Sequence, residues 1–248
     1  MASKKTQYTQ FNINGNQIPV QVVRERRRSM RVSVGKRAVI LRMPSGIMAP
    51  GTQKGIDWSK NWLEELVRKK PDALDHLLSK SYNTGDQLKV GERTYFLDIT
   101  YKDRKTHAAK LEGNTIKLSL NEQEKSGVAL QKAIKHLLSR VVASDFLPEI
   151  ERRVDDLNDR FFQKPFNKVS LKYNHSNWGS CSSKGNINLS TRLLFAPQEV
   201  IDYVIIHELA HLIERNHSNR FWALVEGAMP DYKDKVRFLK ANGKQYDF

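Results

Sequence analysis

Val200-Ile-Asp-Tyr-Val-Ile-Ile-His-Glu-Leu-Ala-His-Leu-Ile213 is apolar at almost every position, yet it carries His207, Glu208 and His211 in its middle. The pattern predicts a helix, and apolar residues on nearly every side of it predict a buried one. At about 3.6 residues per turn, His207 and His211 stand one above the other, roughly 6 Å apart along the axis and about 40° apart around it. Glu208 lies about 100° from His207, in the same sector. A single buried histidine is more often a hydrogen-bonded packing residue than a ligand. Three ionisable groups sharing one sector of a water-excluding helix need a common partner, and a divalent cation satisfies all of them.

His217 follows ten positions after His207. Catalytic zinc takes three protein ligands and keeps one position open. His207, His211 and His217 supply that number, and Glu208 is left beside the open position as a general base for metal-activated water. The helix must end before the third ligand, and Glu214-Arg215-Asn216 reads as its exit, with Asn216 suited to the left-handed conformation. Ser218 is placed to cap a following helix from Asn219. The metzincin pattern also has a third histidine ten positions on, but with Gly where this chain has Glu214, which sets the chain apart from that group.

Upstream, Pro197 and Glu199 suit the first turn of the metal helix. Before them, Val169 to Tyr173 reads as a strand, Trp178 to Gly185 as a tight loop, and Asn186-Ile-Asn-Leu-Ser190 as a second strand. A short strand just ahead of the metal helix can offer a free edge to an extended peptide. Trp178, Ser180, Asn186, Ile187 and Asn188 are therefore candidate substrate-binding residues. Candidates for stabilising an oxyanion are His175, Tyr203, Arg220 and Tyr232. Cys181 is surrounded by no local cysteine-protease signature, which argues against a thiol nucleophile.

The first part of the chain reads as β-rich, with a hairpin from Phe11 to Val23 turning at Asn14-Gly15 and strands at Met30 to Val34 and Ala38 to Met43. A loop from Pro44 to Gly55 leads to a helix from Asp57 to Lys69 and a shorter one from Pro71 to Leu78. Strands return at Thr94 to Thr100, Ala108 to Leu111 and Thr115 to Leu120, with Gly85, Gly91 and Gly113-Asn114 as turns. From Glu122 to Phe162 the pattern is helical, and Pro148 is expected to kink or divide it. The expected class is α+β, with a basic β-rich region carrying a helical hairpin over 1–120 and the metal-site region over 121–248. No internal repeat is evident.

Lys and Arg number 42 against 27 Asp and Glu, for a formal net charge of +15 and a pI near 9.8. A polyanion, nucleic acid or an acidic protein surface, is a fitting partner, held with strong salt dependence. The densest basic stretch, Arg24 to Arg31, reads locally as the solvated face of a sheet, because Met30, Val32 and Val34 alternate with Arg31 and Ser33. One cysteine excludes an intrachain disulfide. No apolar run reaches membrane-spanning length and the N-terminus has no hydrophobic signal core, so no membrane partner is expected and the expected location is cytoplasmic.

Trp178-Gly-Ser-Cys, Gly185-Asn-Ile-Asn-Leu, Ala196-Pro197, Tyr203-Val, His207-Glu-Leu-Ala-His-Leu, Asn216-His217-Ser, Phe221-Trp222 and Met229-Pro230-Asp-Tyr occur in that order. Together they resemble the YgjP-like metallopeptidase family and, more distantly, the SprT-like and Wss1-like (WLM) zinc proteases. The similarity is densest from Asn167 to Leu239 and looser over the basic N-terminal half. The resemblance implies a minimal zincin-like peptidase core over 121–248, one Zn2+ per chain held by His207, His211 and His217, Glu208 as general base, and a protein or peptide substrate. SprT-like and WLM relatives act on proteins attached to DNA, which suits the charge. The alternative from another class is a basic nucleic-acid-binding protein whose zinc site is structural or catalytically idle.

Overall fold

The computed structural model describes residues 5–13, 16–35, 38–45, 51–71, 73, 74, 77, 82–124 and 128–248. The chain is α+β and divides into two compact units, Met1–Lys80 and Ser81–Phe248.

In the first unit, β1 (Lys5–Ile13), β2 (Asn16–Glu25), β3 (Arg31–Val34) and β4 (Val39–Pro44) form a sheet in the order β1-β2-β4-β3. Its outer pairs are antiparallel and its inner pair, β2 and β4, is parallel. The two-residue period of a strand places Phe11, Ile18, Val20, Val22, Leu41 and Met43 in one core, with Leu63 of α1 (Thr52–Lys69) among them. Helix α1 starts inside the stretch read as loop. Gly55 is tolerated there because it packs on Met43, whose Cε would sit 2.4 Å from an added Cβ. The Asn14-Gly15 turn, and most of the short helix expected from Pro71 to Leu78, lie outside the described residues. Part of the basic stretch is structural: Arg24 donates to the Pro44 carbonyl (3.1 Å) and to Thr52 Oγ1 (2.8 Å), and Glu25 bridges Arg27 and Arg42.

The second unit begins with β5 (Gln87–Val90), β6 (Arg93–Lys102), β7 (Ala108–Glu112) and β8 (Thr115–Asn121), ordered β5-β6-β8-β7, followed by α2 (Val128–Phe161). Here too the outer pairs are antiparallel and the inner pair parallel. One four-strands-then-helix topology thus occurs twice, although no repeat is evident in the residues. What recurs is alternation and turn placement, which many different sequences satisfy. The change of pattern at 120/121 falls inside this unit, because Ile116, Leu118 and Leu120 of β8 share a core with Ile134 and Leu138 of α2. Helix α2 is not divided at Pro148. Ser144, whose carbonyl loses its donor to the proline, is exposed, so water can satisfy it.

The remaining elements are β9 (Lys168–Lys172), β10 (Gly179–Cys181), β11 (Asn186–Ser190), a 3-10 turn (Thr191–Phe195), α3 (Gln198–Ala210), α4 (Asn219–Ala228) and α5 (Tyr232–Asn242). The sheet order is β10-β11-β9, with β9 and β11 parallel and β10 antiparallel at the edge. Helix α3 is buried along nearly its whole length. Its one buried acid outside the metal region, Asp202, accepts Arg153 Nε at 2.7 Å and Nη2 at 2.6 Å, with Gln198 Nε2 at 2.9 Å, and so ties α3 to α2. No helix of the described residues is long and apolar enough to cross a membrane.

Asp202→Ala leaves the Arg153 guanidinium without its bidentate partner. Because Arg153 is partly solvated, the expected loss is about 2 kcal/mol of unfolding free energy, read from the urea midpoint with the m-value unchanged.

Candidate active site

Helix α3 carries His207 and Glu208 and ends at Ala210, so that His211 is its C-cap. That is earlier than the exit expected at residues 214–216. The chain reverses instead through a tight turn in which Leu212 N donates to Leu209 O (2.9 Å), Ile213 N to Ala210 O (3.1 Å) and Glu214 N to Ala210 O (2.9 Å). Asn216 does not adopt the left-handed conformation, and neither does Glu214. Among the described residues Gln163 is the one non-glycine at positive φ, so this turn has no need of the metzincin glycine. His217 then precedes Ser218, whose hydroxyl accepts Phe221 N at 3.4 Å and caps α4 as expected.

The three imidazoles converge. One ring nitrogen from each of His207, His211 and His217 lies within 4.8 Å of the others, and Nε2 of His207 is 3.0 Å from Nε2 of His217. A tetrahedral zinc with bonds of about 2.0–2.1 Å would separate its nitrogen ligands by about 3.3 Å, so the donor set fits such an ion. Burial, then the charges of His211 and His217, pushes the His207 pKa down to about 4, and burial pushes His211 down as well. The same desolvation favours the neutral form of both rings, the form that ligates. His211 Nδ1 lies 3.0 Å from the Glu214 carbonyl, which assigns the proton to Nδ1 and leaves Nε2 as a lone pair. Phe221, fully buried, floors the cluster, with ring centroids 4.9, 4.5 and 4.7 Å from those of His207, His211 and His217.

Glu208 is 4 % exposed, and desolvation raises its pKa to about 8. Strand β10 crosses directly over it: a Cβ on Gly179 would meet Glu208 Oε1 at 2.5 Å and Cγ at 2.8 Å. The Trp178-Gly-Ser-Cys stretch is thus an edge strand whose glycine makes room for the carboxylate. Trp178 is clamped in turn. The Arg192 guanidinium lies 4.9 Å over its ring, and Gly243 packs so closely that an added Cβ would be 2.4 Å from Trp178 Cζ2. Arg192 is itself held by the carbonyls of Tyr246 (2.6 Å) and Gly243 (2.8 Å).

The free edge expected on β11 is not present there. β11 pairs with β9 on one side and β10 on the other, which uses up its backbone; among the described residues the unpaired edges of this sheet belong to β10 and β9, and β10 is the one beside the histidines. Ile187 is fully buried in the core, and Asn186 holds the β10–β11 turn through Ser182 and Asn167. Asn188 stands on the opposite face of β11 from Ile187. Ser180 is on β10 and lines a cavity of about 380 Å³ with Cys181, His207, Glu208, His211 and His217. Arg215, which the sequence did not single out, also lines this cavity and donates to Ser183 O at 3.2 Å. Burial and the Glu208 carboxylate raise the Cys181 pKa and hold it as a thiol. On the other side of Glu208, Trp178, Tyr203, Val204, Val236 and Leu239 line an apolar cavity of about 350 Å³.

Of the four oxyanion candidates, Tyr203 lines that cavity beside His207 and Glu208, its ring 6.0 Å from that of His207. Burial pushes its pKa up to about 12, so it remains a hydroxyl donor. Tyr232 stacks on Tyr203 and Trp222 (6.4 and 5.4 Å), while His175 and Arg220 are exposed.

A family profile described as "YgjP-like, metallopeptidase domain" matches residues 28–242. Among solved structures, the metallopeptidase zymogen abylysin of Pyrococcus abyssi is 28% identical, with 37% of this chain and 93% of that one covered and a TM-score of 0.35. The zymogen jannalysin of Methanocaldococcus jannaschii is 18% identical, with 36% and 94% covered and a TM-score of 0.31. No curated protein gives a significant match.

Gly179→Ala requires the Glu208 carboxylate to move aside while the imidazoles stay in place. The variant is expected to retain its thermal midpoint and its bound metal, measured by mass spectrometry, and to lose hydrolysis of an unfolded protein substrate by on the order of 10² or more.

Proposed function

The chain belongs to the YgjP-like metallopeptidase family, and from that premise we propose a zinc-dependent peptidase that holds one Zn2+ through His207, His211 and His217 and uses Glu208 as general base. The observation that carries this reading is the meeting of three ring nitrogens within 4.8 Å, beside a buried carboxyl group that accepts no hydrogen bond among the described residues. A zinc ion held by these three imidazoles would supply Lewis acidity, lowering the pKa of water and polarising a carbonyl.

With the charge of a bound cation beside it holding it ionised, Glu208 would take the proton of the attacking water and pass it to the leaving amine. The apolar wall around it excludes bulk water and strengthens every charge interaction inside. An extended substrate adds to the free edge of β10 as an antiparallel strand, with main-chain bonds fixing its depth. In that direction its carboxyl-side residues run toward Trp178, so the side chain after the scissile bond enters the apolar cavity. The Tyr203 hydroxyl is placed to donate to the developing oxyanion. The catalytic core is residues 121–248, with the β5–β8 sheet as its support. A cytoplasmic location belongs to the same reading, since a single thiol offers no intrachain disulfide.

A second reading, a nucleic-acid-binding protein with an idle or structural zinc, draws on the charge distribution. The first 80 residues hold over a third of the Lys and Arg but under a quarter of the Asp and Glu. The two readings share metal and fold and part at hydrolysis.

Glu208→Gln is expected to keep one zinc per chain and lower peptide hydrolysis by about 10³. Zinc-loaded wild type that cuts neither free nor DNA-bound proteins, yet binds DNA with a steep salt slope, favours the second reading. Tyr203→Phe is expected to lower kcat by on the order of 10² with KM and zinc content nearly unchanged. A change confined to KM would remove the oxyanion role.

A further inference from the structure

A groove of about 1010 Å³ in the second unit shares no lining residue with the cavities beside the histidines. Its floor is the middle of α2, with Leu137, Val141 and Ala143, and its walls are β7 and β9. Each wall is the last strand of its sheet, β7 in β5-β6-β8-β7 and β9 in β10-β11-β9. Among the described residues neither strand is paired on its outer edge, so main-chain donors and acceptors line the groove.

The register says which groups of β7 are free. β7 and β8 are joined by the two-residue loop Gly113-Asn114, with Gly113 at φ 59 as the first position of a type II′ turn requires. The closing pair of such a hairpin, Glu112 and Thr115, is of the hydrogen-bonded kind, and pairs of that kind recur at every second residue. Lys110 and Ala108 therefore bond to β8, and the N–H and C=O groups of Ala109 and Leu111 point outward along the edge.

The rim is positively charged. Arg140 and Lys172 are exposed and have no ion-pair partner among the described residues. The nearby acids are already engaged: Asp145 by Arg93 (2.7 Å) and the Tyr95 hydroxyl (2.5 Å), Glu112 by Lys110 and Lys117, and Glu124 by His107 (3.2 Å).

We propose that this groove binds an extended acidic segment of another protein, which adds as a strand to the β7 edge, lays alternate apolar side chains on α2 and meets Arg140 and Lys172 with its carboxylates. A nucleic acid would leave the outward groups of Ala109 and Leu111 without main-chain partners, and His136 and Tyr173 at the groove already pack edge-on against each other (5.3 Å). The inference rests on the groove and not on the peptidase reading.

The test is fluorescence anisotropy on the full chain carrying Glu208→Gln, so that a probe is not cut. The probes are labelled peptides of about ten residues alternating Glu with Val, their Lys-Val counterparts, and a single-stranded DNA of similar length. The Glu-Val peptide is expected to bind, and Arg140→Glu with Lys172→Glu is expected to weaken it at least about tenfold without moving the thermal midpoint. Ala109→Pro, which removes an outward donor and no bond to β8, is expected to weaken it comparably. Absence of binding, equal binding of the Lys-Val peptide, or affinity unchanged by the double charge reversal would each overturn the proposal. So would DNA that binds in place of the peptide and is lost with the same variants.

Discussion

Helix α3 is buried in hydrocarbon on nearly every side and still presents two imidazoles and a carboxylate to one small space. Unpaired, these groups would each oppose folding, because charge and dipole taken from water must find a partner. Neutrality is one answer, visible in the lowered pKa of His207 and the raised pKa of Glu208. Sharing a cation is the other, and the third imidazole of His217 completes the set that makes it possible. Everything around the site can be understood as holding this arrangement still. Phe221 packs under all three rings, the turn after Ala210 brings His217 back, and Ser218 starts the helix that delivers Phe221.

The carboxylate is positioned from the opposite side. β10 approaches α3 so closely that only a hydrogen fits between Gly179 and Glu208, and β10 is fixed by the stacking of Trp178 between Arg192 and Gly243. A chain of contacts thus runs from the carbonyls near the C-terminus, through a buried arginine, to the group assigned as general base. Among the described residues the same strand leaves its outer edge unpaired beside the histidines. One short element therefore sets the depth of Glu208 and offers the backbone on which a peptide can be aligned.

Much of this was legible in the residues. The periodicity of residues 200–213, the spacing of the three histidines and the Ser218 cap are local signals, each within a few turns of chain. The role of β10 was not legible, because the three residues Gly179-Ser-Cys181 are too few to show an alternation and a glycine followed by serine looks like a turn. An interior strand glycine marks a close approach, but which atom approaches it depends on Glu208, 29 positions away in sequence. For the same reason the sequence does not tell a free edge from a central strand at β11, whose apolar alternation suits either. Asp202 and Arg153 meet across 49 positions, and nothing local announces such a pair. The repeated sheet topology leaves no mark in the residues because hairpins constrain alternation and turn positions, not residue identity.

The most direct test of the account is zinc K-edge X-ray absorption on the zinc-loaded chain. The account predicts three imidazole nitrogens with remaining light-atom scattering at about 2.0–2.1 Å, and an unchanged spectrum for Glu208→Gln. A sulfur shell at about 2.3 Å, which only Cys181 or a methionine could supply, would contradict it, as would fewer than three imidazoles.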